Sequence, residues 1–470
     1  MAERPILLWL RRDLRLHDHP AMDFAAGSGR PVIPIFIHDE TVADLGAAAR
    51  WRMGRAVASF AQRLEGIGSR LILRRGPALA VLRALVAETG AGAVCWSRLY
   101  DPASQARDSA VKAALRAEGL RAESFPGHLL FEPWRVETAT GGPYRVFTPY
   151  WRALKGRNPR SGVHTVSALR PPTKWPESEN LERWQMGTAM NRGAAIVERH
   201  ARMGVGGAFA RLDPFLEGGT GEYRMRRDSP AEPVTSGLSE NLTYGEISAL
   251  AIWQAGWRRL EEGAQGAETF LQELAWREFA WHLFYHFPQL DRQNWRSEWD
   301  GFPWRGDNDD AEAWRRGMTG EPFVDAAMRE MYVTGTMHNR ARMIAASYLT
   351  KHLLTDWRVG LGWFAECLTD WDPAANAMGW QWVAGSGPDA APYFRVFNPE
   401  TQAKKFDMKG AYRAKFIAEG ARAPAPDALQ FFAACPRAWG LSAGQPYPER
   451  RIGLDEGRRR ALSAYENRVR

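Results

Sequence analysis

Five short apolar segments, separated by stretches long enough for helices, occupy the first 130 residues, and few folds accommodate that rhythm. Ile6-Leu7-Leu8-Trp9-Leu10 reads as a buried strand, and residues 32–37, 70–73, 93–96 and 123–125 read as four more. Between them, residues 47–65, 78–88 and 103–118 carry helical spacing and good helix formers. Strand–helix alternation at this spacing predicts βαβ units and a parallel sheet with right-handed crossovers. Ligands of such sheets sit beyond the C-terminal strand ends, where Arg11-Arg12-Asp13-Leu14-Arg15 follows the first strand.

From about residue 131 the periodicity weakens, and Arg170-Pro171-Pro172-Thr173-Lys174-Trp175-Pro176 reads as linker. After Gly221 strand signals nearly vanish. Residues 241–255, 267–284, 323–331, 339–353 and 359–368 read as helices. The expected architecture is an α/β domain (1–130) with a Rossmann-like parallel sheet, a connector (131–200) and an all-α domain (201–470). No apolar run approaches the ~18 residues of a membrane span. The opening residues lack a secretory or transit pattern, so a cytoplasmic location is expected. Three cysteines without a C-x-x-C pair exclude a disulfide framework, a zinc knuckle and a four-cysteine cluster.

The formal charge is +8, and with eight lysines among the 62 basic residues, 54 are arginines. Arginine suits bidentate phosphate contacts, so nucleic acid is a natural partner, although biased composition gives the same excess. The 21 tryptophans exceed what packing alone needs. Weaker signals have bland readings. Gly204-Val205-Gly206-Gly207 follows no strand, so it is no dinucleotide fingerprint. Gly385-Ser386-Gly387 reads as a turn or a phosphate cradle. His282 and His286 have a metal-capable spacing but no third ligand. The arginines at 450, 451, 458, 459 and 460 read as a solvated helix face.

Residues 369–407, TDWDPAANAMGWQWVAGSGPDAAPYFRVFNPETQAKKFD, are chemically denser. Asp370 and Asp372 offer two acceptors at a loop, and Asn376 and Trp380 lie one helical turn apart. Glu273, Trp276 and Arg277 fall at i, i+3, i+4, and Asn339, Arg342 and Met343 repeat the pattern. An acid, an arginine and an amide beside aromatics point to a pocket for a planar polar ligand, with a salt-bridged helix interface as the alternative.

These segments resemble the photolyase/cryptochrome flavoproteins, and within them the cyclobutane pyrimidine dimer DNA photolyases. The resemblance begins at LLWLRRDLRLHDHPA and continues through YRVFTPYWRAL, TSGLS, ELAWREFAWHL, TGEPFVDAAMR, TGTMHNRARMI and the 369–407 segment. It implies light-driven repair of UV-damaged DNA with reduced FAD as electron donor. It places Tyr223 and Thr235-Ser236-Gly237-Leu238-Ser239 at the FAD phosphates and ribityl chain. Phe270, Arg277, Asn339, Arg342, Asp370 and Asp372 join the cofactor site, and Asn376 faces flavin N5. Trp380, Trp357 and Trp304 match the electron-transfer chain. Glu273, Trp276, Asn339, Arg340, Met343, Trp382 and Arg395 match the lesion pocket, with Arg227 and Arg340 at flanking phosphates.

The sequence departs from the family pattern at Thr336, Phe270 and Ala377-Met378. Asn339 and Met343 are not the histidines of the (6-4) branch, and three cysteines exclude the iron–sulfur branch. The antenna is expected between the domains, near Arg11, residues 47–55 and Tyr100. By resemblance it is 5,10-methenyltetrahydrofolate, with 8-hydroxy-5-deazaflavin or an empty site as alternatives. A cryptochrome-like photoreceptor is the competing reading, and a monomer is the expected state.

Overall fold

The structure is a computed structural model that describes residues 3–160, 163–190, 192–389 and 394–468. Residues 390–393 of the dense segment lie outside the described residues.

The sheet contains β1 (Ile6–Leu10), β2 (Val32–His38), β3 (Ile72–Arg75), β4 (Ala93–Ser97) and β5 (Arg121–Phe125) in the order β3-β2-β1-β4-β5. Every pairing is parallel. The central β1 is buried throughout, as an unbroken apolar run requires when helices cover both faces. Those helices are α1 (Pro20–Gly27), α2 (Ala47–Glu65), α3 (Ala78–Thr89) and α4 (Pro102–Ala117). The third strand starts two residues later than its sequence pattern predicts, and α1 was not expected. Its eight residues are too few to show a period, and its cap is unconventional: His19 Nδ1 accepts from Met22 N at 3.2 Å.

The helices that position the site are α5 (Phe147–Lys155), α6 (Thr220–Arg226), α7 (Ser239–Thr243), α8 (Ala249–Glu261), α9 (Ala267–His286), α10 (Pro322–Thr334), α11 (Asn339–Ser347), α12 (Trp357–Cys367), α13 (Pro373–Ala384) and α14 (Leu454–Glu466). Most of the connector packs back on the sheet domain: Val166, Leu169, Trp184 and Met186 join its core, and Val32 N donates to Arg170 O.

Two expected helices are interrupted. Residues 241–255 divide into α7 and α8 at Gly245, whose φ of +67° glycine adopts without a Cβ penalty. A Cβ there would lie 2.1 Å from Arg12 O, so Gly245 also permits the loop after β1 to touch the helical domain backbone to backbone. Arg15 Nη1 donates to Gly245 O at 3.1 Å across the same seam. The 339–353 helix ends as α11, after which one wider turn carries the chain, with Leu353 N donating to Tyr348 O five residues back.

The bland readings hold for two weak signals. Gly385, at φ +95°, terminates α13, and Gly387 N donates to Gln381 O. His282 Nε2 accepts from Tyr144 N at 3.0 Å, its ring lies 4.7 Å from His286, and burial lowers its pKa to about 3. No metal-competent cluster exists among the described residues. The arginine run is corrected: Arg450 and Arg451 are exposed but precede α14, pairing with Glu321 and Asp310, and Arg460 is half-buried and donates to His352 O, so the run is not one helix face. Among the described residues no helix is long and apolar enough to cross a membrane.

Candidate active site

Asp370 gathers the residues that the sequence scattered. It is buried between α12 and α13. Arg342 Nη2, from α11, lies 3.0 and 2.7 Å from its two carboxylate oxygens. Ser239 Oγ, at the start of α7, donates to Oδ2 at 2.7 Å. Arg342 is itself fixed by a 2.8 Å bond from Nε to Met337 O. One carboxylate held by a guanidinium and a hydroxyl ties α7 and α11 to the turn between α12 and α13.

Asp372, two residues on, caps α13 by accepting from Ala375 N at 2.9 Å, with Pro373 in the first turn. Trp281 Nε1 donates to its Oδ2 at 2.9 Å. Asn376 is buried one turn later, and its Nδ2 donates to Asp372 O at 2.9 Å. Across from this cluster, Gly237 adopts φ +61° in the loop before α7. The backbone N–H groups of Thr235, Ser236, Gly237 and Leu238 find no acceptor among the described residues. Such a run of free donors can receive anionic oxygens. Tyr223 and Phe270 pack together beside Phe215, with Tyr223 and Phe270 centroids 5.9 Å apart.

On α9, Glu273 forms an ion pair with Arg227. One turn on, Trp276 stacks on Phe147 of α5 with centroids 3.6 Å apart and planes within 8°. Trp382 Nε1 donates to the backbone oxygen of Asp389 at 3.1 Å. Asp389 sits at φ +54°, which an Asp tolerates better than most side chains. Phe147 was not legible as a site residue, because it acts through Trp276, more than a hundred positions away. Arg340 Nη2 pairs with Asp228 at 2.6 Å and its guanidinium lies 4.4 Å over Phe406. Asn339 is exposed and Met343 half-buried on α11, and Arg395 is exposed on the rim of a cavity that Trp382 also lines.

Arg277 departs from the expected stripe. Its guanidinium donates to His128 O at 3.2 Å and Glu278 Oε1 at 3.1 Å, toward the sheet domain. The i+4 spacing puts its Cα beside Glu273, but a long side chain is free to end elsewhere.

The three tryptophans occupy adjoining elements. Trp380 is buried against Phe364 at 4.9 Å, and its indole overlies Gly360 of α12. Trp357, one turn before Gly360, is buried and donates from Nε1 to Asn294 Oδ1 at 2.9 Å. Trp304 is half-buried, 4.4 Å from Phe302 and 6.1 Å from Trp299. The Nε1 atoms of Trp380 and Trp304 are buried without an acceptor among the described residues.

Of the places named for an antenna, Arg11 is buried on Asp108, and Tyr100 donates to Glu132 at 2.9 Å. Arg50, from the named 47–55 segment, lines a cleft of ≈ 670 Å³ beyond β2 and β3 together with His38, Asp39, Arg75 and Trp184.

With this geometry in place, comparison with known proteins is decisive. A family model described as DNA photolyase matches residues 6–171, and one described as the FAD binding domain of DNA photolyase matches residues 270–467. A deoxyribodipyrimidine photo-lyase of Agrobacterium fabrum is 44% identical over 467 residues, covering 98% of this chain and 97% of that one. The chain belongs to the DNA photolyase family. Cryptochrome-2 of Arabidopsis thaliana is 34% identical over 90% of this chain and 72% of its own length. The crystal structure of a bacterial class III photolyase from Agrobacterium tumefaciens matches this photolyase with a TM-score of 0.91. It is 42% identical and covers 99% of this chain and 98% of that chain. The α/β domain followed by a helical FAD-binding domain is the photolyase architecture.

Proposed function

We propose that this photolyase repairs UV-damaged DNA by splitting cyclobutane pyrimidine dimers to monomers in light, with FAD as its cofactor. The observation that carries the reading is Trp276, stacked on Phe147 one helical turn from the Glu273–Arg227 ion pair.

The donor set fits FAD. The unpaired amides of Thr235 to Leu238 suit the diphosphate, with Ser239 and Tyr223 beside it. Arg342, Asp370 and Asp372 hold the isoalloxazine and adenine portions. Asn376 offers flavin N5 an amide and adds no negative charge. Phe270 supports Tyr223 by packing. Reduced FAD, when bound, supplies a light-excitable electron donor. Trp304, Trp357 and Trp380 carry electrons inward one indole at a time; they serve photoreduction and not bond cleavage.

Glu273 hydrogen-bonds the flipped pyrimidines and stabilises the dimer radical anion, and Arg227 keeps its carboxylate aimed. Trp276 and Trp382 supply flat apolar walls, with Asn339 and Met343 completing the pocket. Arg227, Arg340 and Arg395 meet backbone phosphates, so affinity falls as salt rises. Asp228 is the intramolecular competitor that DNA must displace from Arg340.

The cleft beyond β2 and β3 is lined by Arg50 and Arg75 together with the acids Asp39 and Glu40. By family resemblance, 5,10-methenyltetrahydrofolate is preferred over 8-hydroxy-5-deazaflavin as antenna.

The test is recovery of thymine absorbance in UV-damaged oligo(dT), with flavin reduced, in light against a dark control. Light-only recovery is the expected result. No recovery with flavin bound and reducible would move the chain to the photoreceptor reading.

A further inference from the structure

Behind Trp382, the cavity of ≈ 220 Å³ that Arg395 rims runs down to a buried floor to which the repair reading gives no role. Its floor contains Lys351, 1% exposed, in the wide turn after α11. One ammonium proton goes to Ala384 O at 2.5 Å, the last carbonyl of α13. No carboxylate lies within 4.0 Å of Nζ among the described residues, and burial alone drives its pKa well below the usual lysine range. A cation taken out of water without a counter-charge is costly, and a bound anion relieves that cost. Arg296, Arg395 and Arg468 line the same cavity, against a single acid, Glu298, which is exposed.

The walls are aromatic. Phe394 lies 3.4 Å from Lys351 Nζ, measured to its centroid. Tyr465 of α14 stacks on Phe394 at 4.6 Å with planes within 7°, and Trp299 closes the other side, 5.7 Å from Phe394. Flat rings around a cluster of cations select a ligand that is planar at one end and anionic at the other.

We infer that this cavity is a nucleotide subsite, in which Lys351 and the arginines take a phosphate and the aromatic walls take its base. The shared chemistry has two sources: a free mononucleotide, or a nucleotide of the damaged strand next to the dimer. The second source rests on the repair reading above, because Trp382 is common to both pockets.

The test titrates flavin-loaded enzyme calorimetrically with dTMP, inorganic phosphate and thymidine. In parallel, strands carrying a dimer with or without flanking nucleotides are titrated by anisotropy. Binding of dTMP but not thymidine is expected, weakened at least tenfold by Lys351→Met and by Arg468→Gln. Arg468, near the end of α14, provides a variant whose folding does not depend on the buried lysine. Both variants binding flanked strands more weakly than wild type, yet the minimal dimer equally, assigns the subsite to DNA. Both losing dTMP alone assigns it to a free nucleotide. No binding of dTMP or phosphate at millimolar concentration, with flanked-strand affinity unchanged in both variants, overturns the proposal. Failure of wild type to repair dimers overturns the repair reading instead, and leaves the dTMP titration interpretable.

Discussion

The Trp380 indole overlies Gly360 so closely that a Cβ on Gly360 would come 2.1 Å from its outer ring edge. Glycine at 360 therefore sets where the inner tryptophan sits, one helical turn from Trp357. Gly360→Ala is expected to cost about 1–3 kcal/mol by overpacking, seen as a lower Tm, and to slow flavin photoreduction. An unchanged photoreduction rate with a lowered Tm would detach this contact from electron transfer.

Trp304→Phe separates photoreduction from repair. The half-buried indole is the outermost of the three. Photoreduction of oxidised flavin should slow strongly, while repair by chemically reduced enzyme keeps its yield. Equal loss of both contradicts the assigned role.

Glu273→Ala should lower repair yield more than DNA affinity, since it removes a partner of the dimer and leaves Arg227 free for phosphate. Binding and yield are measured on the same dimer-containing strand. An unchanged yield removes Glu273 from the site.

Asp370→Asn should release flavin. Asp370 is the common partner of Arg342 and Ser239, and its neutral isostere leaves a guanidinium without its counter-ion. The expected result is colourless protein, or a flavin dissociation constant raised at least tenfold, read by fluorescence of released FAD.

Glu278 links stability to pH. It is buried on α9, accepts from Leu130 N, and burial raises its pKa to about 7 although Arg277 opposes the shift. The native state therefore holds a proton that the unfolded chain releases near pH 4.5, so this group's contribution declines as pH rises from about 4.5 through 7. Glu278→Gln should gain on wild type across that interval, by on the order of 3 kcal/mol if the shift is fully expressed. Melting both proteins at pH 5 and pH 8 checks the sign, and a constant difference refutes it.

The legible parts of this molecule were those written in local pattern. A buried parallel sheet declares itself because its inner strands β1, β2 and β4 are buried, largely apolar runs between helices, and α2 begins and ends where its spacing does. The break at Gly245 stayed hidden because the apolar period runs on through it; the cause is Arg12, more than two hundred residues away. The same holds for the site. Asp370, Asp372 and Asn376 share a short segment whose density was visible, whereas Phe147 gains its place by tertiary contact. Arg277 was misplaced because spacing fixes a Cα and not the end of a long side chain.

The seam at Gly245 has a consequence for how the two domains are held. Backbone packed on backbone at Arg12 leaves no room for a side chain at 245, while Arg15 and Arg52 bond across the same seam. One added methyl group at 245 would have to part the loop after β1 from the helical domain, so its effect would be felt on both sides at once.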